Sequence, residues 1–208
     1  MVVNEDQDAN QEDFVILHPG SRALFRYWAS VRRDRAAPER SDIDLKQLRA
    51  HVGSLFVLER HQGIYRWRMV GTRICDLYRR ELTGSDSLAD FDTFERAVIG
   101  KFLAGVVERL QPCVLRVRLN TSECQMIGVE MLGLPVQSGP EDTIHIFGGL
   151  FPFRDARALT YERIAGIELS GARAIPTEQP TGDELVARLR ASSAGPSQPF
   201  RVVQGGRR

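Results

Sequence analysis

Tyr65-Arg66-Trp67-Arg68-Met69-Val70-Gly71-Thr72 sets large apolar side chains against arginines at every second position. A period of two marks a strand with one buried face. Tyr65, Trp67 and Met69 are therefore expected to point inward, and Arg66 and Arg68 outward. Upstream, His61-Gln62-Gly63 reads as a turn and Ser54 to Glu59 as a partner strand, so the pair forms a hairpin. Downstream, Ile74, Leu77 and Tyr78 give Thr72 to Glu81 a short helical pattern, which Thr83-Gly84 closes.

Further out, Leu24, Tyr27, Trp28 and Val31 recur at i, i+3, i+4 and i+7, with Arg22, Arg26 and Arg33 opposite. This spacing predicts an amphipathic helix over about 22–35 with Ser21 as its N-cap. Asp42 or Asp44 caps a short helix through Leu45, Leu48 and Val52, which Gly53 stops. Asp92 with Glu95 three residues later is an approximate capping box. The helix it opens carries Phe94, Val98, Phe102, Val106 and Leu110 on one side and ends at Pro112. Three strands follow: Cys113 to Leu119, Cys124 to Leu134 ended by Pro135, and Thr143 to Phe151 with Gly148-Gly149 inside it. Two groups of hairpin-linked strands separated by helices predict an α+β fold, an antiparallel sheet covered by helices on one face.

The chain has 208 residues, 42% of them hydrophobic and 26% charged, which suits one globular domain with tails. The net charge of +1 argues against a dedicated nucleic-acid binder. Residues 1–19 read as an acidic, disordered leader, residues 20–155 as the domain, and residues 156–208 as a mostly flexible extension. Cys75, Cys113 and Cys124 show no metal or redox spacing, and His18, His51, His61 and His145 stand singly. With no signal-peptide pattern and no long apolar run, a cytoplasmic location and no membrane contact are expected. The sequence contains no GxSxG, HExxH, Walker A or kinase signature. Glu95 and Glu130 are single carboxylates of the kind that meet a histidine in space, but no nucleophile with a base is legible. The chain is read as not an enzyme. The alternative is a small-molecule enzyme on a related α+β fold, which would need a deep cleft with a paired acid and base.

The order of elements, and several local sequences, resemble the PAS domain, and most of all its short stand-alone members in alphaproteobacteria. The matching residues are Leu24-Phe25-Arg26-Tyr27-Trp28, Pro38 to Asp44, Leu55-Phe56-Val57-Leu58, Tyr65 to Thr72, Leu77-Tyr78, Glu81-Leu82-Thr83-Gly84, Leu132 to Val136, and the Gly148-Gly149 pair. The resemblance covers roughly 20–155. It implies a PAS-like five-stranded antiparallel sheet, a leading N-terminal helix, and a sensory or interaction role.

Within that family a gap between sheet and helices holds haem, flavin or a metabolite. Haem needs an axial histidine, and the helix from Phe94 to Leu110 has none. Photoactive flavin needs a reactive cysteine, and Arg73-Ile74-Cys75-Asp76 departs from the light-sensing motif. Both cofactors are disfavoured, and no metal is expected. Trp67, Met69, Ile74, Tyr78, Phe102 and Val106 either line an apolar ligand pocket or fill the core. Leu24, Tyr27, Trp28 and Val31, with Phe25 as a second apolar edge, either pack on the chain's own sheet or form a dimer interface. A homodimer through this helix is expected. Arg22, Arg26, Arg32, Arg33, Arg35 and Arg40 read as a solvated face rather than a phosphate-binding one. The residues outside the domain are too few for an output module. The reading is a non-catalytic sensor or adaptor that signals bacterial-fashion, through contact with a separate protein.

Overall fold

The hairpin forms where its alternation places it. In a computed structural model that describes residues 16–122, 125–138, 143–154 and 164–176, β1 (Leu55–His61) pairs antiparallel with β2 (Ile64–Val70). The loop is Gln62-Gly63, both with positive φ (50° and 79°). Two such residues fit the right-handed twist of the flanking strands. The ladder slips between Val57 and Leu58: Leu58 faces Trp67 and Val57 faces Met69, so Arg68 is an extra residue. This bulge breaks the period of two. Tyr65 and Trp67 point into the core, while Met69 turns out and is 39% exposed.

Two helices lie between the hairpin and the later strands, as expected. They are α2 (Thr72–Tyr78) and α3 (Thr93–Glu108), the latter opened by a full Asp92–Glu95 capping box. The strands β3 (Cys113–Thr121), β4 (Met126–Gln137) and β5 (Ile144–Pro152) follow. β4 runs through Pro135 rather than ending there. β3 stops opposite Gly133, so the next residues of β4 have a free side. There the Pro135 carbonyl accepts the Trp28 indole N–H at 2.8 Å and the Gln137 N–H donates to Pro38. No ladder bond needs the amide hydrogen that proline lacks.

The sheet is wholly antiparallel in the order β2-β1-β5-β4-β3-β6. It therefore has six strands rather than five. The sixth, β6 (Ile164–Ala174), comes from the stretch read as a flexible extension and pairs along the whole of β3. The expected flexible character of the rest of 156–208, and of residues 1–15, lies outside the described residues.

Helices cover both faces of the sheet, not one. On the inner face α2 and α3 enclose Phe56, Leu58, Trp67, Leu103, Val106, Leu115 and their neighbours. On the outer face the leading helix α1 (Pro19–Arg32) packs Leu24, Phe25 and Trp28 on Leu132, Leu134, Val136, Phe147 and Phe151. The helix starts before the predicted Ser21 cap because His18 caps it: its side chain accepts the Gly20 N–H at 3.0 Å, and Pro19 opens the first turn. No helix among the described residues is long and apolar enough to cross a membrane.

Candidate functional site

Three places bring chemistry-bearing groups together: the inner core, a cleft at its edge, and the seat of α1. In the inner core Trp67, Ile74 and Val106 come together, each nearly or fully buried. Trp67 meets Phe56 edge-on with ring centroids 5.3 Å apart. Phe56 fits because Gly148 gives way to it: a Cβ at Gly148 would lie 2.3 Å from the Phe56 ring and 2.2 Å from the Leu132 carbonyl. Tyr78 and Phe102 are half-buried and pack against the margin of this cluster. Burial raises the pKa of the Tyr78 phenol and pushes the Cys113 thiol up to about 12. Neither group is ionised at neutral pH. Of the six residues expected around a pocket, Met69 is misplaced. The bulge carries it to the opposite face of the sheet.

The cleft, of about 280 Å³, opens beside this core between Gly63 of the loop, Ile64 and Tyr65 of β2, and Arg96, Ala97 and Gly100 of α3. Its rim is the segment after α2, which pairs with the free edge of β2: the Ser87 N–H donates to the Tyr65 carbonyl and the Trp67 N–H to that of Ser85. This pairing fixes Asp86 and Leu88. Asp86 accepts from Arg96 at 2.7 Å, and Arg96 also donates to the Leu88 carbonyl at 3.0 Å. The buried hydroxyls of Tyr65 and Ser87 have no hydrogen-bond partner. The Tyr65 alternation was legible in the sequence. The cleft was not, because it arises where two segments far apart in sequence meet α3.

Under the N-terminus of α1 lies the fully buried Glu130. Its carboxylate accepts the Leu17 N–H at 2.9 Å, the His18 N–H at 2.8 Å and the Arg116 Nε at 3.2 Å. His18 stacks on Phe151 with centroids 5.1 Å apart, and His51 meets the same ring edge-on at 5.7 Å. The His18 ring also hydrogen-bonds the Pro152 backbone, which can only accept. One nitrogen of His18 thus accepts and the other donates, which requires the neutral ring. Burial lowers its pKa, partly opposed by the Glu130 charge. This is an acid–imidazole pair, but every oxygen and ring nitrogen in it already holds the fold. The arrangement is a structural latch and offers substrate no free proton acceptor.

The expected dimer residues are largely turned inward. Leu24, Phe25 and Trp28 are covered by the chain's own sheet and cannot also form a surface. Tyr27 and Val31 are half-buried, and the Tyr27 hydroxyl accepts the Asp44 N–H at 2.6 Å. Half of the arginine cluster is engaged locally: Arg22 with the carbonyls of Ile16 and Leu17, Arg35 with Asp42, and Arg32 over the Trp28 ring. Arg26, Arg33 and Arg40 are exposed. His18, His51 and His145 all belong to the outer face, and burial also lowers the pKa of His145. Cys75 is half-buried beside Glu81, and burial raises its pKa, so its thiol is not activated. Among the described residues no group of three or more His, Cys, Asp or Glu is placed to hold a metal.

Comparison with known families gives one result that bears on these sites. The sequence model described as PAS domain matches residues 16–151. That span begins at Ile16, one residue before the Leu17 amide that Glu130 accepts, and closes at Phe151 on β5. No curated protein matches the chain.

Proposed function

This chain belongs to the PAS domain family, and from that premise we propose that it is a non-catalytic signalling adaptor, acting by contact with a separate protein. PAS domains are signal-sensing modules. The finer reading rests chiefly on the seat of α1. The helix is tied to the outer face at two points, Glu130 under its N-terminus and the Pro135 carbonyl under Trp28. Lifting it breaks both ties together and bares Leu132, Leu134 and Phe147. A helix with two such positions is the element that a signal can bias. Trp67, Ile74 and Val106, expected either around an apolar ligand or in the core, belong to one cluster of buried residues, which supports the reading without a ligand.

Native mass spectrometry of the freshly purified protein, set against its denatured mass, tests this. The expected native mass is a whole multiple of 23.4 kDa. An excess mass that disappears on denaturation would replace the adaptor with a small-molecule sensor, and would begin to identify the ligand.

A further inference from the structure

His18 is the residue on which the start of α1 turns. Its backbone N–H donates to Glu130 at 2.8 Å, one ring nitrogen accepts the Gly20 N–H at 3.0 Å, and the other donates to the Pro152 backbone. The ring stacks on Phe151 and meets Phe153 edge-on at 5.6 Å. The chain around it has no slack. Ile16 is buried, the Arg22 guanidinium clasps the carbonyls of Ile16 and Leu17, and a Cβ at Gly20 would lie 2.6 Å from the Phe151 ring. The first turn keeps its seat only while His18 accepts at one nitrogen and donates at the other.

We propose that the seat of α1 is a proton-operated clasp: a proton taken up by His18 loosens the helix from the outer face, so that acid is one signal that works the movement. This rests on α1 being the element that moves. The proton can go only to the nitrogen that accepts from Gly20, because the other already carries one. There it turns the acceptor into a donor that faces an N–H, and the cap is lost. It also sets a positive charge at the positive end of the helix dipole. The charged and titratable groups around the ring come from four elements. Arg22 of α1 and His51, before β1, oppose the added charge. Glu130 of β4 attracts it, but its carboxylate already accepts three donors, one of them from Arg116 of β3. On β5 and just beyond it stand the Phe151 and Phe153 rings and the Pro152 backbone. Burial is the largest effect on the ring, and the balance is against its charged form. When α1 lifts, water solvates the imidazolium. The lifted form thus binds a proton that the seated form refuses, and acid shifts the population towards it. The Trp28 tie and the buried Leu24 and Phe25 still hold the rest of the helix, so the proton biases the movement rather than completing it.

Native-state hydrogen exchange of the full chain, read by mass spectrometry between pH 7.5 and about 5, is the test. Near pH 7.5 the amides of α1 are expected to exchange faster than those of β4, through an opening smaller than global unfolding. After correction for the intrinsic exchange rate, the α1 opening equilibrium is expected to rise by up to about tenfold for each pH unit below about 6.5. It levels off where the seated ring itself takes the proton. His18→Asn keeps a capping acceptor and cannot titrate, and its α1 opening is expected to stay nearly flat with pH. The failures are distinct. An α1 that opens only together with β4 would overturn the moving helix, and the clasp with it. An α1 that opens by itself, by an amount that acid changes less than about twofold, would overturn the clasp alone. A rise of equal size in His18→Asn would also overturn it, since the proton would then act elsewhere.

Discussion

Glu130 is the one charged residue that is fully buried among the described residues. A fully buried carboxylate is tolerated only where donors surround it, and here two backbone N–H groups and one guanidinium do so. Glu130→Gln removes the charge and turns an NH₂ group toward one of those donors. The expected cost is about 2–4 kcal/mol, read from the urea midpoint at an unchanged slope. A shift equivalent to less than ~0.5 kcal/mol, the range of an ordinary surface change, would remove the latch from the account. Its neighbour His18 makes the molecule sensitive to acid. Burial holds its folded pKa below the ordinary histidine value of about 6.5. The unfolded chain therefore binds a proton that the folded one refuses as pH falls below about 6.5. Stability is full above that pH and declines below it, towards the depressed folded pKa. His145, shifted in the same direction, adds to the slope. His18→Asn keeps a capping acceptor but no titrating ring. Denaturation of the two proteins between pH 7.5 and about 5 should show a shallower decline for the variant. Parallel curves would take His18 out of the linkage. In the sequence Glu130 was visible only as a lone acid in an apolar strand. The donors it serves stand more than a hundred residues away, at Leu17 and His18, and no local pattern reports them.

At the scale of elements, short-range chemistry was legible and long-range packing was not. The hairpin turn and the Asp92–Glu95 capping box are fixed by residues within four positions of each other; the box appears as read, and the turn tightens to Gln62-Gly63 because His61 pairs with Ile64 in the ladder. The outward turn of Met69 depends on a bulge that only the pairing with β1 reveals. The buried side of α3 was misread for a related reason. A helix apolar on most sides has no sharp stripe, and Phe94, grouped by spacing with Val98, Phe102, Val106 and Leu110 on one side, is exposed while Val106 is buried. What orients α3 is Glu95, whose carboxylate accepts the Leu169 N–H of β6 at 2.7 Å. Leu110, expected on the same side, lies beyond the helix with a positive φ of 53°. The paired glycines of β5 sit where neighbouring groups approach too closely for a side chain. Gly148→Ala would push a methyl group against the Leu132 carbonyl, 2.2 Å away, and backbone cannot swing aside as a side chain can. The expected loss is about 1–3 kcal/mol or more, seen as a lowered Tm. An unchanged Tm would mean that β4 and β5 are not held as closely as the ladder places them.

The molecule as a whole is a sheet packed on both faces, and β6 is what completes it. Without β6, β3 becomes an edge strand and loses register partners at all nine of its residues, Cys113 to Thr121. Glu95 loses the amide that orients α3, and the inner core loses Ile167. The outer core loses Ile175, whose N–H also donates to the Pro112 carbonyl. Burial of two isoleucines alone contributes about 3–6 kcal/mol, against a total of about 5–15 kcal/mol for a domain of this kind. The boundary drawn from the sequence at residue 155 thus cuts through the fold. The signal was weak because Ile164–Ala174 carries glycines at 166 and 171 and a single basic residue, Arg173, with no clean alternation. Two truncated chains separate the possibilities. One ends at residue 155. The other ends at Thr177, where the compact unit holding all the described residues closes. The shorter chain is expected to unfold at a much lower urea concentration than the longer one, and with a smaller slope, since less surface is buried to begin with. Equal midpoints would mean that β6 only rests against a sheet already stable without it. The six-stranded sheet would then reduce to the five strands that the sequence pattern supports.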